Sequence, residues 1–252
     1  MKLRNRVVWL IGASSGIGEA LVPRLVREGC RLAISARRED RLQEIARGSG
    51  DEPLVVALDV MQDGALEGAV VEIEKALGPI DVLFYNAGAW ELTEVKNFDV
   101  RAFEKQIDTN YRGLVRAIGA VLPAMVERRS GDIVATASLS GYAGFPRAAA
   151  YGSTKAAVNS LLQSLRIDLK PHRVGVVTIN PGFVDTKLTA ENDFPMPFML
   201  EPDEAARAIV AGLRSGRPEI HFPKRLSLPL KALTALPRPA YEWIVGRGVK
   251  PR

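Results

Sequence analysis

The strongest constraint on the fold is a regular alternation of short apolar runs with longer segments of helical periodicity. Strands buried on both faces of a parallel sheet are rich in Val and Ile and lack polar alternation. Seven runs have this character: RVVWLIG (6–12), RLAISA (31–36), PLVVALDV (53–60), VLFYNAG (82–88), DIVATAS (132–138), VGVVTIN (174–180) and EIHFP (219–223). Alternating strands and helices imply right-handed crossovers. The sequence therefore predicts one doubly wound α/β domain over residues 1–223, with a parallel sheet of about seven strands.

The clearest helical pattern lies between the fourth and fifth runs. Apolar residues recur there at spacings of three, four and seven, as they do on one face of an α-helix. They are Phe103, Ile107, Leu114, Ile118, Val121 and Met125. We therefore expect one helix that buries all six.

Composition favours a folded, soluble chain. Hydrophobic residues make up 47% of 252 residues, enough for a full core. Cys30 is the single cysteine, which excludes an intrachain disulfide and fits a reducing compartment. No apolar run approaches the roughly 18 residues of a spanning helix, and Val7–Ile11 is too short for the core of a secretory signal. We expect a cytoplasmic protein.

The net charge of +5 belongs to a basic, Leu-rich C-terminal extension, residues 224–252. It holds seven Lys or Arg residues and one acidic residue, Glu242. Nucleic-acid binding would need a basic face on the folded body, so this distribution argues against it. Leucines at helical spacing, together with Tyr241 and Trp243, leave several roles open. The extension packs on its own chain or on a partner subunit, covers the substrate mouth, or rests peripherally on an anionic membrane surface.

Three glycines follow the first strand. Gly12, Gly16 and Gly18 have the spacing GxxxGxG at a strand-to-helix turn. Such glycines let the backbone approach a pyrophosphate, and the N–H groups at the start of the next helix face that anion. A turn that only packs a helix on a sheet is the alternative.

Two arginines end the second strand. An acidic residue at this position would bind the ribose 2′-hydroxyl of NAD, whereas arginine accommodates the 2′-phosphate of NADP. The residues here are Arg37 and Arg38, whose planar guanidinium groups suit a phosphate. The sequence therefore predicts a preference for NADP, with NAD still possible.

Tyr151 and Lys155 stand four residues apart among small residues. Side chains at this spacing are neighbours on a helix, so the two groups can share one pocket. A phenol has a pKa near 10, and a nearby ammonium favours the phenolate and lowers that value. We expect this pair to perform acid–base chemistry.

Taken in order, these motifs resemble the short-chain dehydrogenase/reductase family over about residues 5–222. The resemblance also includes Asp59 after the third strand, YNAG (85–88) after the fourth, Asn110 in DTNYRG, Ser138 at the end of the fifth strand and NPGFVDT (180–186). Two residues depart from the family pattern. Ile11 replaces the usual threonine before Gly12, and Tyr85 replaces the first asparagine of NNAG.

The resemblance implies a Rossmann-type fold, an enzyme that acts on alcohols or carbonyls, and roles for particular residues. Asn110, Ser138, Tyr151 and Lys155 are the implied catalytic residues. Asn110 would hold a water in a proton relay. The implied cofactor-binding residues are Gly12, Ser14, Ser15, Gly16, Ile17, Gly18, Arg37, Arg38, Asp59, Val60, Asn86, Ala87, Gly88, Tyr151, Lys155, Pro181, Gly182, Val184 and Thr186. No Cys/His cluster suggests a metal site.

In the family, the segment that follows the Pro-Gly pair of NPGFVDT contacts substrate. Here that segment is residues 183–200, and its second half is apolar, with Phe194, Met196, Phe198, Met199 and Leu200. Methionines and aromatic residues suit an adaptable apolar pocket, and Trp90, Tyr142 and Phe145 are further candidates. This pattern predicts a lipophilic ketone, aldehyde or secondary alcohol as substrate. The segment folding on its own core as a lid is the alternative.

Two other functions share these motifs. One is a 3-oxoacyl-carrier-protein reductase, for which Arg128 and Arg129 would contribute to a dock for an acidic carrier. The other is a non-catalytic NADP-sensing protein, although such proteins tend to lose the Tyr or the Lys. The family resemblance also implies a homodimer or homotetramer that pairs through residues 99–126 and 151–170.

Overall fold

The structure, a computed structural model, describes residues 1–190 and 192–247. Residues 248–252 of the basic extension and residue 191 of the predicted substrate segment lie outside the described residues. The described strands form one parallel sheet in the order β3-β2-β1-β4-β5-β6-β7. They are β1 (Val7–Ile11), β2 (Arg31–Ser35), β3 (Leu54–Val55), β4 (Val82–Tyr85), β5 (Gly131–Thr136), β6 (Val174–Pro181) and β7 (Glu219–Phe222). The predicted seven-stranded α/β fold is confirmed.

Helices cover both faces of the sheet. They are α1 (Gly16–Arg27), α2 (Glu39–Arg47), α3 (Ala65–Leu77), α4 (Val100–Ile107), α5 (Gly113–Glu127), α6 (Ala149–Asp168), α7 (Pro202–Arg214), α8 (Lys224–Thr234) and α9 (Arg238–Gly246). One hydrophobic cluster buries α3, α5 and α6 against the sheet, and a second buries α1, α2 and α7 against its other face. Because both faces are covered, the strands are apolar throughout, as the sequence indicated.

β1 lies between β2 and β4, so the direction of strand order reverses at its carboxyl end. In open α/β sheets, ligands bind in the crevice at such a reversal. The fold therefore places the glycine turn after β1 at the expected binding crevice.

The third strand is shorter than the run at 53–60 suggested. Only Leu54–Val55 is a strand, at the edge of the sheet. Hydrogen bonds from Val56 N to Ile34 O (3.0 Å) and from Leu58 N to Ala36 O (3.1 Å) still hold the following residues beside β2. The apolar run at 53–60 thus includes residues that face the core after the regular hydrogen bonding of β3 has ended.

The predicted single helix face at 103–125 is wrong in its first half. A π-helical turn, Asp108–Arg112, separates α4 from α5. A π turn adds a residue to the helical repeat, so positions before and after it no longer share one face. Ile107 is consequently 41% exposed, and Gln106 is buried in its place. From Leu114 onward the predicted face is buried.

Candidate active site

A cavity of about 740 Å³ lies at the carboxyl ends of the strands. Most of the sequence-predicted cofactor residues line it, from the glycine turn at one end to the α6 tyrosine and lysine at the other. These lining residues are Gly12, Ser14, Ser15, Gly16, Ile17, Arg37, Arg38, Asp59, Val60, Asn86, Ala87, Gly88, Tyr151, Lys155, Pro181, Gly182, Val184 and Thr186. Ser138 lines it too, whereas Gly18 and Asn110 lie behind its wall.

Close backbone packing explains the glycine turn. A Cβ on Gly12, whose φ is +88°, would lie 2.4 Å from Ala87 N, and a Cβ on Gly18 would lie 2.0 Å from Gly12 O. These two glycines therefore let β1, β4 and α1 approach each other. Gly16 begins α1 and lines the cavity. The unpaired N–H groups of the first turn of α1 are thereby placed beside the cavity.

The end of the cavity beside β2 is basic. Arg37 and Arg38 are both exposed and both line the cavity. Arg38 Nη2 donates to Ser14 O and to Ser14 Oγ, each at 3.0 Å, so this guanidinium also fixes the glycine turn. Across the cavity, Asp59 Oδ1 accepts from Met61 N at 2.9 Å.

Asn86 lines the cavity and joins the ends of three strands. Its Nδ2 donates to Gly12 O at 3.2 Å, and its Oδ1 accepts from Thr136 Oγ1 at 2.9 Å. The neighbouring residue, Tyr85, is buried and does not line the cavity. Its hydroxyl donates to Thr109 O in the π-helical turn at 2.6 Å.

Room for the Tyr85 hydroxyl comes from Gly113, where a Cβ would lie 2.4 Å from it. Where the family pattern has its first asparagine, this chain therefore has a tyrosine whose hydroxyl bonds to the turn that carries Asn110.

The π-helical turn presents Asn110 to the loop after β4. Asn110 is buried, its Oδ1 accepts from Ala89 N at 2.7 Å, and its Nδ2 donates to Ala89 O and to Thr154 Oγ1, both at 3.0 Å. Both amide hydrogens are therefore used in holding α6 to this loop.

Ser138, Tyr151 and Lys155 meet at the far end of the cavity. Ser138 precedes a short 3-10 helix, Leu139–Gly141, and its Oγ accepts from Ser140 N at 3.1 Å, which leaves its hydroxyl hydrogen to donate. Lys155 is buried, and its Nζ donates to Thr136 O at 2.8 Å. The same Nζ lies 5.6 Å from the centre of the Tyr151 ring. The structure therefore brings these three side chains together at one end of the cavity.

The pKa values of this pair differ from the expectation. Burial raises the pKa of Tyr151 to about 12, and a hydrogen bond with Ser138 lowers it only in part. We expected the ammonium to lower this pKa, but Lys155 lies over the ring while burial strips water from the phenol. Burial lowers the pKa of Lys155 itself to about 8. Near neutral pH the tyrosine is therefore a protonated donor, and the lysine is close to its own pKa.

Three loops cluster beside Tyr151: residues 89–97, residues 144–148, and residues 183–190 with 192–200, called here the mouth loops. The ring of Trp90 meets the ring of Tyr151 edge-on, with centroids 4.9 Å apart. Trp90 Nε1 donates to Asn192 Oδ1 at 2.9 Å. Arg147 pairs with Asp193 at 2.5 Å and with Glu94 at 3.0 Å. Side chains from distant positions thus hold the mouth loops together.

Several sequence expectations at the mouth differ from the structure. None of the individual residues predicted to contact substrate is among those that line the cavity: Trp90, Tyr142, Phe145, Phe194, Met196, Phe198, Met199 and Leu200. The Tyr142 hydroxyl donates to Glu219 Oε1 at 2.5 Å, and the Phe145 ring packs against Tyr241 of α9. Phe198 and Met199 are half exposed.

Sequence reasoning also missed some cavity residues. These are Ile11, Ala36, Leu58, Thr109, Thr136 and Ala137. Lys187, Leu188 and Thr189 also line the cavity, and they belong to the predicted substrate segment 183–200. Five of the missed residues lie at or just beyond the carboxyl ends of predicted strands, a signal that could have identified them; Thr109 carries no comparable signal.

Fold and site together define a nucleotide-binding oxidoreductase domain, and comparison with known proteins identifies its family. The family profile described as short chain dehydrogenase matches residues 6–195. An uncharacterized oxidoreductase of Myxococcus xanthus is 36% identical over 244 residues, 96% of each chain.

Two solved structures are similar. Alcohol dehydrogenase from the archaeon Thermococcus sibiricus, complexed with 5-hydroxy-NADP, is 30% identical with a TM-score of 0.77, over 86% of this chain and 95% of that one. Serine dehydrogenase from Escherichia coli is 31% identical with a TM-score of 0.75, over 86% and 96%. The chain belongs to the short-chain dehydrogenase family and is an NAD(P)-dependent oxidoreductase.

No helix in the described part of the chain is both long and apolar enough to cross a membrane.

Proposed function

We propose that this protein is an NADPH-preferring reductase of lipophilic ketones or aldehydes, or the dehydrogenase of the corresponding secondary alcohols. The observation that carries the proposal is one cavity with a basic end, Arg37 and Arg38, and an acid–base end, Ser138, Tyr151 and Lys155. A nicotinamide dinucleotide phosphate is an elongated ligand that needs both ends.

The residues fit that cofactor. Gly12 and Gly16 keep the cavity wall free of side chains where a pyrophosphate would lie, and the arginine pair suits a 2′-phosphate. Asp59 and Val60 would border the adenine, while Asn86, Ala87 and Gly88 border the middle of the cavity. Pro181, Gly182, Val184 and Thr186 would hold the nicotinamide end. When bound, NADPH supplies the hydride.

The chain's own residues supply the proton and orient the carbonyl. Ser138 has a hydroxyl hydrogen with which to hold the carbonyl oxygen. Tyr151 gives its proton to that oxygen as the alcohol forms, because its raised pKa keeps it protonated near neutral pH. Lys155 can return a proton to the phenolate, since its own pKa is about 8. These pKa values support the reductive direction.

Asn110 would serve the relay through its backbone rather than its side chain. Both Nδ2 hydrogens are engaged with Ala89 and Thr154. We propose that the Asn110 carbonyl holds the relay water, while the side chain fixes the loop after β4.

The substrate class rests on the mouth loops. The Trp90 ring contacts the Tyr151 ring at the mouth, outside the cavity lining, and Phe183 and Phe194 lie with ring centroids 6.1 Å apart in the predicted substrate segment. These rings favour an apolar substituent on the carbonyl. The serine dehydrogenase relative points instead to a small polar substrate, so serine belongs in the test.

The two arginines that would dock an acidic carrier protein lie away from the cavity. Arg128 donates to Ile80 O and Arg129 to Pro171 O. Both acceptors lie before the amino ends of strands, at the edge opposite the cavity. We therefore propose a free, low-molecular-weight carbonyl compound as the substrate, rather than one bound to a carrier protein.

Two exposed apolar residues support the proposal that the protein pairs with a second copy of itself. Val115 on α5 and Ile167 on α6 are exposed apolar residues on the two helices through which the family resemblance implies pairing. We propose a homodimer or homotetramer. Light scattering during size-exclusion chromatography would measure its mass and test this. A monomer at micromolar concentration would refute it.

The experiment for the function measures NADPH and NADH consumption with ketones of increasing apolar size and NADP⁺ reduction with serine, in wild type and Tyr151→Phe. We expect wild-type turnover with NADPH to rise with the apolar size of the ketone. In Tyr151→Phe, turnover should fall by roughly 10²- to 10⁴-fold. Tyr111→Phe, a tyrosine outside the cavity, is the matched control. Tight NADPH binding without turnover would support the sensing alternative, and turnover confined to serine would refute the substrate class.

A further inference from the structure

A chain of hydrogen bonds links the C-terminal extension to Ser138. Lys231 Nζ on α8 donates to Glu219 Oε2 at 2.6 Å. Asn180 Nδ2 donates to Glu219 Oε1 at 3.0 Å, and Ser138 N donates to Asn180 Oδ1 at 3.1 Å. Asn180 is buried at the end of β6. Three contacts therefore separate the extension from the serine assigned to the substrate oxygen.

Glu219 determines the orientation of the Asn180 amide. An ionised carboxylate only accepts hydrogen bonds, so it selects the amide orientation with Nδ2 toward Glu219 and Oδ1 toward Ser138. In the flipped orientation two N–H donors, Asn180 Nδ2 and Ser138 N, would face each other. Loss of the Glu219 charge would remove this selection.

Glu219 also holds the other end of the 3-10 helix that follows Ser138. Tyr142, directly after Leu139–Gly141, donates its hydroxyl to Glu219 Oε1 at 2.5 Å. One carboxylate thus fixes the segment through Asn180 before it and through Tyr142 after it. The position of Ser138 depends on both contacts.

Lys231 keeps Glu219 charged and in place. Burial alone would raise the pKa of Glu219, but hydrogen bonds from Lys231 and Tyr142 and the Lys231 charge outweigh it, and the pKa lies below its usual value. Lys231 Nζ also lies 5.3 Å from the centre of the Tyr142 ring. The extension therefore supplies the cation that bonds to Glu219, while Arg166 of α6 adds a second positive charge near that carboxylate.

Two more contacts join the extension to the site. A Cβ on Gly182, which lines the cavity, would lie 2.8 Å from Leu226 Cδ2 of α8. The Tyr241 hydroxyl of α9 donates to Gly144 O in the mouth loops at 2.6 Å. The extension thus touches the Gly182 segment and the loop before α6 as well as the network.

We propose that residues 224–247 are a positioning element of the active site, in which Lys231, through Glu219 and Asn180, holds the Ser138 backbone at its catalytic position. Lys231, Glu219 and Asn180 are positioning residues. The kinetic part of this inference rests on the proposed function, whereas the structural part does not.

The experiment compares Lys231→Met with Lys231→Arg and with Arg225→Met, a change of an exposed cation on the same helix. Hydrogen–deuterium exchange of the peptide covering residues 137–143 reads the network directly. We expect exchange to rise about tenfold in Lys231→Met through easier local opening, with recovery in Lys231→Arg and no change in Arg225→Met. Unchanged exchange in Lys231→Met would overturn the proposal.

Kinetics give the second readout. Lys231→Met should lower kcat by roughly 5- to 20-fold with KM for NADPH within about twofold, because misplacing a substrate-orienting group affects the chemical step. Glu219→Gln should have a similar effect, and adding Lys231→Met to it should cost little more, since both act through one contact. Losses of kcat that add up in the double variant would refute the proposed network. A loss of kcat in Arg225→Met equal to that in Lys231→Met would refute it too. A wild type without turnover would refute the proposed function and leave the exchange result to decide this inference.

Discussion

The part of the cavity around the glycine turn and the arginine pair, called here the cofactor end, takes its shape from glycines and main-chain atoms. The mouth loops take their shape from long side chains that come from distant segments of the chain. Gly12 and Gly18 contact their surroundings within one short turn and its neighbouring strand. Trp90 and Asn192 lie 102 residues apart in sequence, and Tyr241 and Gly144 lie 97 apart. Changes at the cofactor end should therefore affect every substrate alike, and changes at the mouth should depend on the substrate.

The largest effect is expected at the glycine turn. Gly18→Ala places a methyl group 2.0 Å from Gly12 O and 2.8 Å from Asn86 Nδ2, so β1 and α1 must separate. We expect roughly 10- to 100-fold weaker NADPH binding, measured by cofactor fluorescence, with every substrate affected equally.

Gly68→Ala in α3 is the control, because a Cβ there meets no atom within 4 Å. It should raise the free energy of unfolding by roughly 0.5–1 kcal/mol and leave binding unchanged. Wild-type NADPH affinity in Gly18→Ala would contradict the backbone account of this end.

The next effect concerns the arginine pair. Arg37→Ala should raise KM for NADPH by about 10-fold or more while KM for NADH stays within twofold, because a charge-assisted bond to the 2′-phosphate is lost. Arg38→Ala should weaken both cofactors, since Arg38 also holds Ser14. Arg47→Ala, on the exposed end of α2, is the control. Equal effects of Arg37→Ala on both cofactors would contradict a phosphate role.

The pH dependence of the reaction tests the acid–base pair, Tyr151 and Lys155, which lies between the cofactor end and the mouth loops. The pKa of Lys155 is lowered by burial from 10.5 to about 8, so its ammonium is lost as pH rises through about 8. Reductive kcat/KM should then fall up to about tenfold per pH unit above that point. The unfolded state binds this proton up to about 10.5, so the contribution of Lys155 to folding stability rises with pH between the two values.

Lys155→Arg keeps the charge but cannot return a proton to the phenolate, so it should lower kcat at every pH and leave a profile without the alkaline limb. A wild-type profile that stays flat to pH 10 would contradict the proton role of Lys155.

The smallest effect is expected at the mouth. Asn192→Ala removes the acceptor for Trp90 Nε1 and frees the indole beside Tyr151. We expect a change of roughly two- to fivefold in kcat/KM for bulky carbonyls, as for one lost hydrogen bond, and no change for the smallest. Asn192→Asp keeps the acceptor oxygen and should restore the wild-type preference. An equal change for all substrates would contradict the distinction between the two ends.

The same contrast explains what the sequence could predict. The sheet, the glycine turn and the Tyr151–Lys155 pair follow from spacings within one strand or one helical turn, so local pattern identified them. The π-helical turn at Asp108–Arg112 has no composition signal, and it moved Ile107 to the surface. Tyr142 looked like a pocket residue because it is aromatic and near Ser138, but its hydroxyl meets Glu219, 77 residues away. Such pairings depend on tertiary contacts that no local spacing encodes.

Tyr151 and the basic end of one cavity serve hydride transfer to a carbonyl in the proposed function. Supplying NADPH that carries deuterium at both nicotinamide C4 positions, together with a lipophilic ketone, tests this transfer when mass spectrometry locates the label. We expect deuterium on the carbinol carbon with wild type and almost none with Tyr151→Phe, although the variant still binds NADPH. Label transfer that persists undiminished in Tyr151→Phe, or a wild type that binds NADPH tightly and never transfers the label to any carbonyl, would contradict the proposed function.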